Sequence, residues 1–189
     1  MTALRALGID PGTLHLGWGV VVRDANRLTH VAHGVIDLDP SAPLAERLVG
    51  ICDGLSEVIR AHKPEVGSVE TLFFNKDPQA AAKLGHARGV VLLSLERAGV
   101  AIAEYAPARV KRTIVGSGRA EKRQVAAMVR AMLALKAVPA LDAADALALA
   151  ITHLRIGSVA ERLAAPSRGA SRSLPPLVLA ALKARRAAR

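Results

Sequence analysis

The amino-acid sequence predicts an α/β fold: a mixed five-stranded sheet, three antiparallel strands and then two parallel ones, flanked by helices on both faces. Three observations lead to this prediction. Three strand-like segments follow one another through short links at the start of the chain, two more strands alternate with helical segments, and only helical patterns follow the fifth strand. The 189 residues suffice for one domain with a full core.

The strands are predicted at residues 4–9, 17–23, 28–38, 66–72 and 100–105. The first has the pattern of a buried strand, and turn residues around Asp24 and Asn26 join the second to the third. Consecutive strands with short links form an antiparallel meander, which accounts for the first three strands.

The helices are predicted at residues 43–62, 78–98, 107–115, 120–135 and 142–154. In the first helix, apolar residues recur at steps of three and four and form one stripe, made of Leu44, Leu48, Ile51, Leu55 and Val58. The last helix is rich in Ala and Leu, which favours packing against the sheet.

The composition changes near residue 155, so we expect a domain at residues 1–155 and a basic, flexible C-terminal tail at residues 156–189. Residues 155–189 contain eight Arg or Lys and a single Glu, which together account for +7 of the formal net charge of +10. The tail also contains prolines and a glycine that oppose a packed structure. Such a charge favours a polyanionic partner, either nucleic acid or an acidic membrane surface.

Other classes of protein are excluded by simpler features. No run approaches the ~20 apolar residues that span a bilayer, and the N-terminus has no signal-peptide pattern, so we expect a soluble cytoplasmic protein without membrane partners. The single cysteine, Cys52, rules out an intramolecular disulfide, and its place in an apolar helix predicts a buried side chain.

Four acidic residues stand out against apolar surroundings. Asp10 follows the first strand in the segment GIDPGT, and Glu70 interrupts an otherwise apolar strand. Asp142 and Asp145 are three residues apart, so both lie on one face of a helix. Each has a structural alternative: Asp10 as a turn residue, Glu70 as a solvent-facing strand residue, and Asp142 as a helix N-cap.

Together these acids predict a metal site. Four carboxylates that converge at the strand ends would repel one another and raise their pKa values, unless hard divalent cations neutralise them. Such a cluster suits a two-metal phosphodiesterase, in which one ion helps to deprotonate the attacking water and the other stabilises the leaving oxygen. We therefore predict Asp10, Glu70, Asp142 and Asp145 as catalytic metal ligands.

Five motifs in register resemble the RuvC-type Holliday-junction resolvases (crossover junction endodeoxyribonucleases) of the ribonuclease-H-like superfamily: GIDPGT, ETLFFNK, AAAKLGHARGV, VKRTIVGSGRAEKRQV and DAADALALAITH. The resemblance covers about residues 4–154. It implies a ribonuclease-H-like fold and a homodimer that binds four-way DNA junctions in homologous recombination and DNA repair. It also implies symmetric nicks in two strands of like polarity, leaving 5′-phosphate and 3′-hydroxyl ends.

The resemblance further implies Mg²⁺ as cofactor, with two ions per site and Mn²⁺ as a substitute, and it places the four acids on the catalytic positions of the family. A branch-migration motor as a partner is implied by the resemblance alone. Thr71 and His86 stand where many relatives have Gln, and Asp77 precedes a proline, which puts the sequence preference in doubt.

The DNA-binding residues are predicted partly from chemistry and partly from the resemblance. An aromatic side chain close after Glu70 can stack on an unpaired base, and Phe73 matches the base-stacking position of the family, whereas Phe74 is assigned to packing. Lys111 and Lys122 match family positions that contact DNA. They belong to a basic patch that also contains Arg109, Arg112, Arg119 and Arg123.

Two other classes of function stay open at this point. GIDPGT also resembles the first phosphate loop of sugar-kinase or actin-like ATP-binding proteins, although these need roughly twice this length and a second phosphate loop that the sequence lacks. A non-catalytic nucleic-acid-binding domain is the other alternative, and the presence of all four acids argues against it. We expect no nucleotide cofactor.

Overall fold

The computed structural model describes residues 3–71 and 78–163. The strands are β1 (Leu4–Asp10), β2 (His15–Asp24), β3 (Arg27–Asp37), β4 (Val66–Glu70) and β5 (Ala101–Tyr105). The helices are α1 (Leu44–His62), α2 (Pro78–Arg97), α3 (Pro107–Val115), α4 (Lys122–Met132) and α5 (Leu141–Leu163). Each element occurs in the predicted order.

The predicted fold class is confirmed. The strands have the order β3-β2-β1-β4-β5, with β1, β2 and β3 antiparallel and β4 and β5 parallel to β1. Because β1 and β4 are parallel and Ile9 pairs with Val69, the residues that end these strands, Asp10 and Glu70, lie at the same edge of the sheet. This register determines where the site can form.

The sheet separates two apolar cores. Leu7, Ile9 and Val69 belong to the core that contains α1 and α2, whereas Ala6 and Val66 belong to the core of α3, α4 and α5. Successive side chains of a strand point to opposite faces. The side chains of Asp10 and Glu70 therefore project toward the same face as α5.

Helix α5 lies in direct contact with the strands at positions where they carry glycine. A Cβ atom on Gly8 would lie 1.8 Å from the carbonyl oxygen of Ala146, and one on Gly17 would lie 2.1 Å from that of Asp142. The Ser68 hydroxyl donates a hydrogen bond of 2.9 Å to the carbonyl of Leu149. Because glycine has no side chain, the first turns of α5 can pack directly against the ends of the strands.

Two details differ from the sequence-based expectations. α5 continues to Leu163, beyond the expected end at residue 154, and Ile156 in this extension packs against the core. Cys52 is half-buried, since Ile51 and Leu55 turn toward the core and leave the cysteine at the edge of the stripe; its Sγ atom lies 3.7 Å from Ser94 Oγ.

The chain divides into two units, Met1–Val159 and Ala160–Arg189. The first contains the sheet, and the described part of the second is the end of α5. The division at residue 155 and the flexibility of the tail stay predictions, since residues 164–189 lie outside the described part. Within residues 3–71 and 78–163, no helix is both long enough and apolar enough to cross a bilayer.

Candidate active site

Three elements bring the four predicted acids to one region. Asp10 ends β1, Glu70 ends β4, and Asp142 and Asp145 lie in the first two turns of α5. The helix begins at Leu141, so Asp142 lies inside its first turn and is not the N-cap residue. Asp142 and Asp145 are also the only partly exposed positions between residues 142 and 151 of an otherwise buried helix segment.

A cavity of about 180 Å³ lies between these elements. Its polar lining consists of Asp10, Glu70, Asp145, Lys111 and Lys122. Its apolar walls come from Pro107, Val110, Val125 and Leu149. Asp142 is outside this lining, but its charge acts on Asp10. The cavity is thus small, with three carboxylates and two lysines in its polar lining and apolar side chains in its walls.

The carboxylates perturb one another in the direction that the sequence predicts. Burial raises the pKa of Asp10 to about 7, helped by Asp145, Glu70 and Asp142, while Lys122 opposes the shift. Burial also raises the pKa of Glu70, with a further contribution from Asp145, and both lysines oppose it. The two lysines therefore leave part of the negative charge uncompensated.

The strongest described contact within the site is an ion pair between two elements. The Nζ atom of Lys122 lies 2.7 Å from Oδ2 of Asp145. This hydrogen bond is the largest cause of the raised pKa of Lys122. Lys122 is the first residue of α4, whose start is fixed by a capping box: the Glu121 main-chain N–H donates to Gln124 Oε1 at 2.9 Å.

The comparisons with known proteins identify the family. A family model described as "Crossover junction endodeoxyribonuclease RuvC" matches residues 6–153. This chain belongs to the RuvC family. The match covers all of the sheet except the first two residues of β1, and it includes all four acids. It confirms the resemblance that the five motifs predict. It also sets aside the sugar-kinase or actin-like alternative.

Individual RuvC proteins are similar to this chain over most of their length. The RuvC of Sorangium cellulosum is 60% identical over 173 residues, which cover 92% of this chain and 97% of that protein. The RuvC of Rhodopseudomonas palustris is 49% identical over 162 residues, which cover 86% of this chain and 93% of that protein. The structure of T. thermophilus RuvC in complex with Holliday junction substrate has a TM-score of 0.77 at 39% identity and covers 83% of this chain and 96% of that one.

The RuvC-family site has the donor chemistry of a divalent-cation site, although one of its carboxylates, that of Asp145, is paired with an ammonium group. In the described residues, no group of three or more His, Cys, Asp or Glu side chains stands ready to ligate a metal ion. Instead, Lys122 supplies the positive charge beside Asp145 and also lowers the pKa of Asp10. Hard carboxylate oxygens with excess negative charge fit Mg²⁺ or Mn²⁺.

The predicted DNA-binding residues occupy different positions around the RuvC-family site. Lys111 and Lys122 line the cavity. Arg109 is exposed, with its guanidinium carbon 6.0 Å from the centre of the Tyr105 ring, and Arg119 lines a separate groove beside Met128. The side chains of Arg112 and Arg123 are exposed. Phe73, Phe74 and Asp77 lie outside the described residues.

One residue beside the RuvC-family site, Arg88, is absent from the predicted set. Arg88 on α2 donates from Nε to the main-chain carbonyl oxygen of Glu70 at 3.2 Å and pairs through Nη2 with Glu104. Its side chain is only 15% exposed. The one signal in the sequence is an arginine within an apolar helical segment, where a charged side chain needs a partner.

Proposed function

We propose that this RuvC-family chain is a structure-specific endonuclease that resolves four-way DNA junctions by metal-dependent nicking of two strands of like polarity, leaving 5′-phosphate and 3′-hydroxyl ends. The observation that carries the proposal is the convergence of Asp10, Glu70 and Asp145 on one cavity, with Asp142 close enough to raise the pKa of Asp10. The substrate follows from kinship, because the similar T. thermophilus RuvC is in complex with a Holliday junction substrate.

The four acids would hold two Mg²⁺ ions, with Mn²⁺ as a substitute. When bound, these ions would supply a more acidic attacking water and stabilise the charge that develops on the leaving oxygen. The protein itself fixes the ligands: two carboxylates stand on adjacent parallel strands and two on a helix packed against glycines. The apolar side chains of Val110, Val125 and Leu149 limit the access of bulk water.

Cationic side chains would position the substrate. Lys111 and Lys122 line the same cavity as three of the carboxylates and would bind the phosphate next to the cleaved bond. Arg109, Arg112, Arg119 and Arg123 would bind phosphates farther along the junction arms. Phe73, three residues after Glu70, would stack on an unpaired base.

Symmetric nicking of two strands needs two active sites, so we propose a homodimer. The deciding experiment compares a synthetic four-way junction with linear duplex of the same sequence, in Mg²⁺ and in EDTA. We expect paired nicks only in the junction and only with Mg²⁺. Equal cutting of linear duplex, or cutting in EDTA, would refute the proposal.

Two variants make the experiment specific to the site. Asp142→Asn removes a proposed metal ligand without removing a phosphate contact, so we expect it to lose cleavage and to retain junction binding. Asp53→Asn is the matched control, because Asp53 is an exposed helical aspartate on α1, outside the cavity lining. Normal nicking by Asp142→Asn would remove that residue from the site.

A further inference from the structure

The ion pair between Lys122 and Asp145 places a cation where the proposed metal ligands converge. The Nζ atom lies 2.7 Å from Asp145 Oδ2, and both residues line the cavity with Asp10 and Glu70. The charge of Lys122 also lowers the pKa values of Asp10 and Glu70. The ammonium thus interacts with all four acids, since Asp142 is also among the charges that raise the pKa of Lys122.

This position is unfavourable once a metal ion is bound. A carboxylate oxygen that binds a divalent cation cannot keep an ammonium group at hydrogen-bond distance without placing like charges only a few ångströms apart, and such repulsion is strong where water is limited. A divalent cation that binds Asp145 therefore competes with Lys122 for this carboxylate.

The surroundings of Lys122 permit its side chain to move away from Asp145. Its side chain is 59% exposed and that of Asp145 is 24% exposed, so the lysine reaches the acid from solvent. The capping box fixes the main chain of α4, and the long, flexible side chain is left to change rotamer. A released ammonium at the edge of the cavity is available to a DNA phosphate.

We propose that Lys122 exchanges partners: it neutralises Asp145 in the metal-free protein and moves to a DNA phosphate when a divalent cation binds, so that cation binding and junction binding strengthen each other. The proposal rests on the proposed function, because it takes junction DNA as substrate and the acids as ligands. The coupling is reciprocal, as thermodynamic linkage requires.

The test compares Lys122→Met with Lys111→Met, a matched control that removes a positive charge from the same cavity. Lys111 has no ion pair with a carboxylate of the cavity among the described salt bridges. Affinity for a fluorescent junction is measured by anisotropy in EDTA and in Ca²⁺, a cation that also takes carboxylate oxygens, with a denaturing gel to verify that the junction is intact.

We expect Lys122→Met to weaken junction binding less than about 3-fold in EDTA and about 10-fold or more in Ca²⁺, a difference within the usual range of coupling between sites. Lys111→Met should weaken binding by the same factor in both conditions. If Lys122→Met causes an equal loss in EDTA and in Ca²⁺, Lys122 is a plain phosphate contact and the exchange does not occur.

A second measurement omits DNA. Calorimetric titration with Mg²⁺ should give an affinity for Lys122→Met that is about 5-fold or more above that of Lys111→Met, because only Lys122 occupies a ligand. Equal affinities would overturn the exchange. These failures are distinct from a failure of the proposed function, which would appear as a wild-type protein that does not cut junctions in Mg²⁺.

Discussion

The side chain of Arg88 holds the main chain of Glu70: its Nε atom lies 3.2 Å from the Glu70 carbonyl oxygen. The same guanidinium pairs with Glu104, near the end of β5. Arg88 therefore connects α2 to the ends of two parallel strands, at the point where the chain leaves β4 toward Phe73. It acts on the site through the backbone, since its charge is absent from the described influences on the Glu70 carboxyl.

We expect Arg88→Met to lower the cleavage rate about 10- to 100-fold, the usual effect of losing a group that orients a metal ligand. Junction affinity in EDTA should change little, whereas the Mg²⁺ concentration for half-maximal cleavage should rise. Arg97→Met is the control, because Arg97 is an exposed arginine at the end of the same helix. Equal effects of both variants would show that the helix, not the contact with Glu70, matters.

The pKa of about 7 at Asp10 predicts how stability depends on pH. The ordinary value is 3.8, so the folded protein binds this proton more tightly than the unfolded chain does. The stability that results is fully present below pH 3.8 and is lost as pH rises through about 7. In EDTA, Asp10→Asn should therefore have a higher Tm than the wild type at pH 8, and the difference should shrink at pH 5.5.

Asp53→Asn controls for the simple loss of one negative charge, since Asp53 is exposed on α1. A Tm of Asp10→Asn below that of the wild type at pH 8 would contradict the prediction. Addition of Mg²⁺ at pH 8 should raise the Tm of the wild type more than that of Asp10→Asn, because the variant lacks a proposed ligand.

Lys111→Ala should weaken junction binding and reduce the slope of log affinity against log salt concentration by about 1, as expected for one lost phosphate contact. Lys136→Ala serves as the reference: Lys136 is exposed beside Arg27, at the opposite end of the sheet from Asp10. The prediction is wrong if the two variants have the same salt slope.

Gly8→Ala should destabilise the protein by ~3 kcal/mol through overpacking, because the new methyl group would lie 1.8 Å from the carbonyl oxygen of Ala146 and would displace α5. The cleavage rate should fall by more than the loss of folded protein accounts for, because α5 carries Asp142 and Asp145. Gly89→Ala is the counterpart, since nothing lies within 4 Å of a Cβ at that helical position, and it should gain up to ~1 kcal/mol. Urea unfolding measures both.

The sequence was sufficient to predict three antiparallel strands followed by two parallel ones, and to expect Asp10 and Glu70 at one edge of the sheet, because strand patterns and acids in apolar surroundings can be recognised locally. The distance between α5 and the sheet was not predictable in this way. It depends on Gly8 and Gly17 meeting the carbonyl oxygens of Ala146 and Asp142, which is a tertiary contact.

The other differences between the predicted and the observed structure also depend on tertiary contacts. The role of Arg88 depends on α2 packing beside the end of β4, and the extension of α5 depends on the core that Ile156 meets. The ion pair of Lys122 was unexpected because it joins two helices that the sequence does not place side by side. Base stacking by Phe73 and the flexibility of the basic tail stay predictions.

The placement of the acids in the chain also affects biosynthesis. Asp10 and Glu70 come together when β4 pairs with β1, but Asp142 and Asp145 arrive only after most of the protein has left the ribosome and α5 has packed onto the sheet. A nascent or truncated chain that ends before residue 141 therefore carries two of the four proposed ligands and lacks the helix that bears the other two. We therefore expect the ability to nick DNA to appear only once α5 has packed onto the sheet.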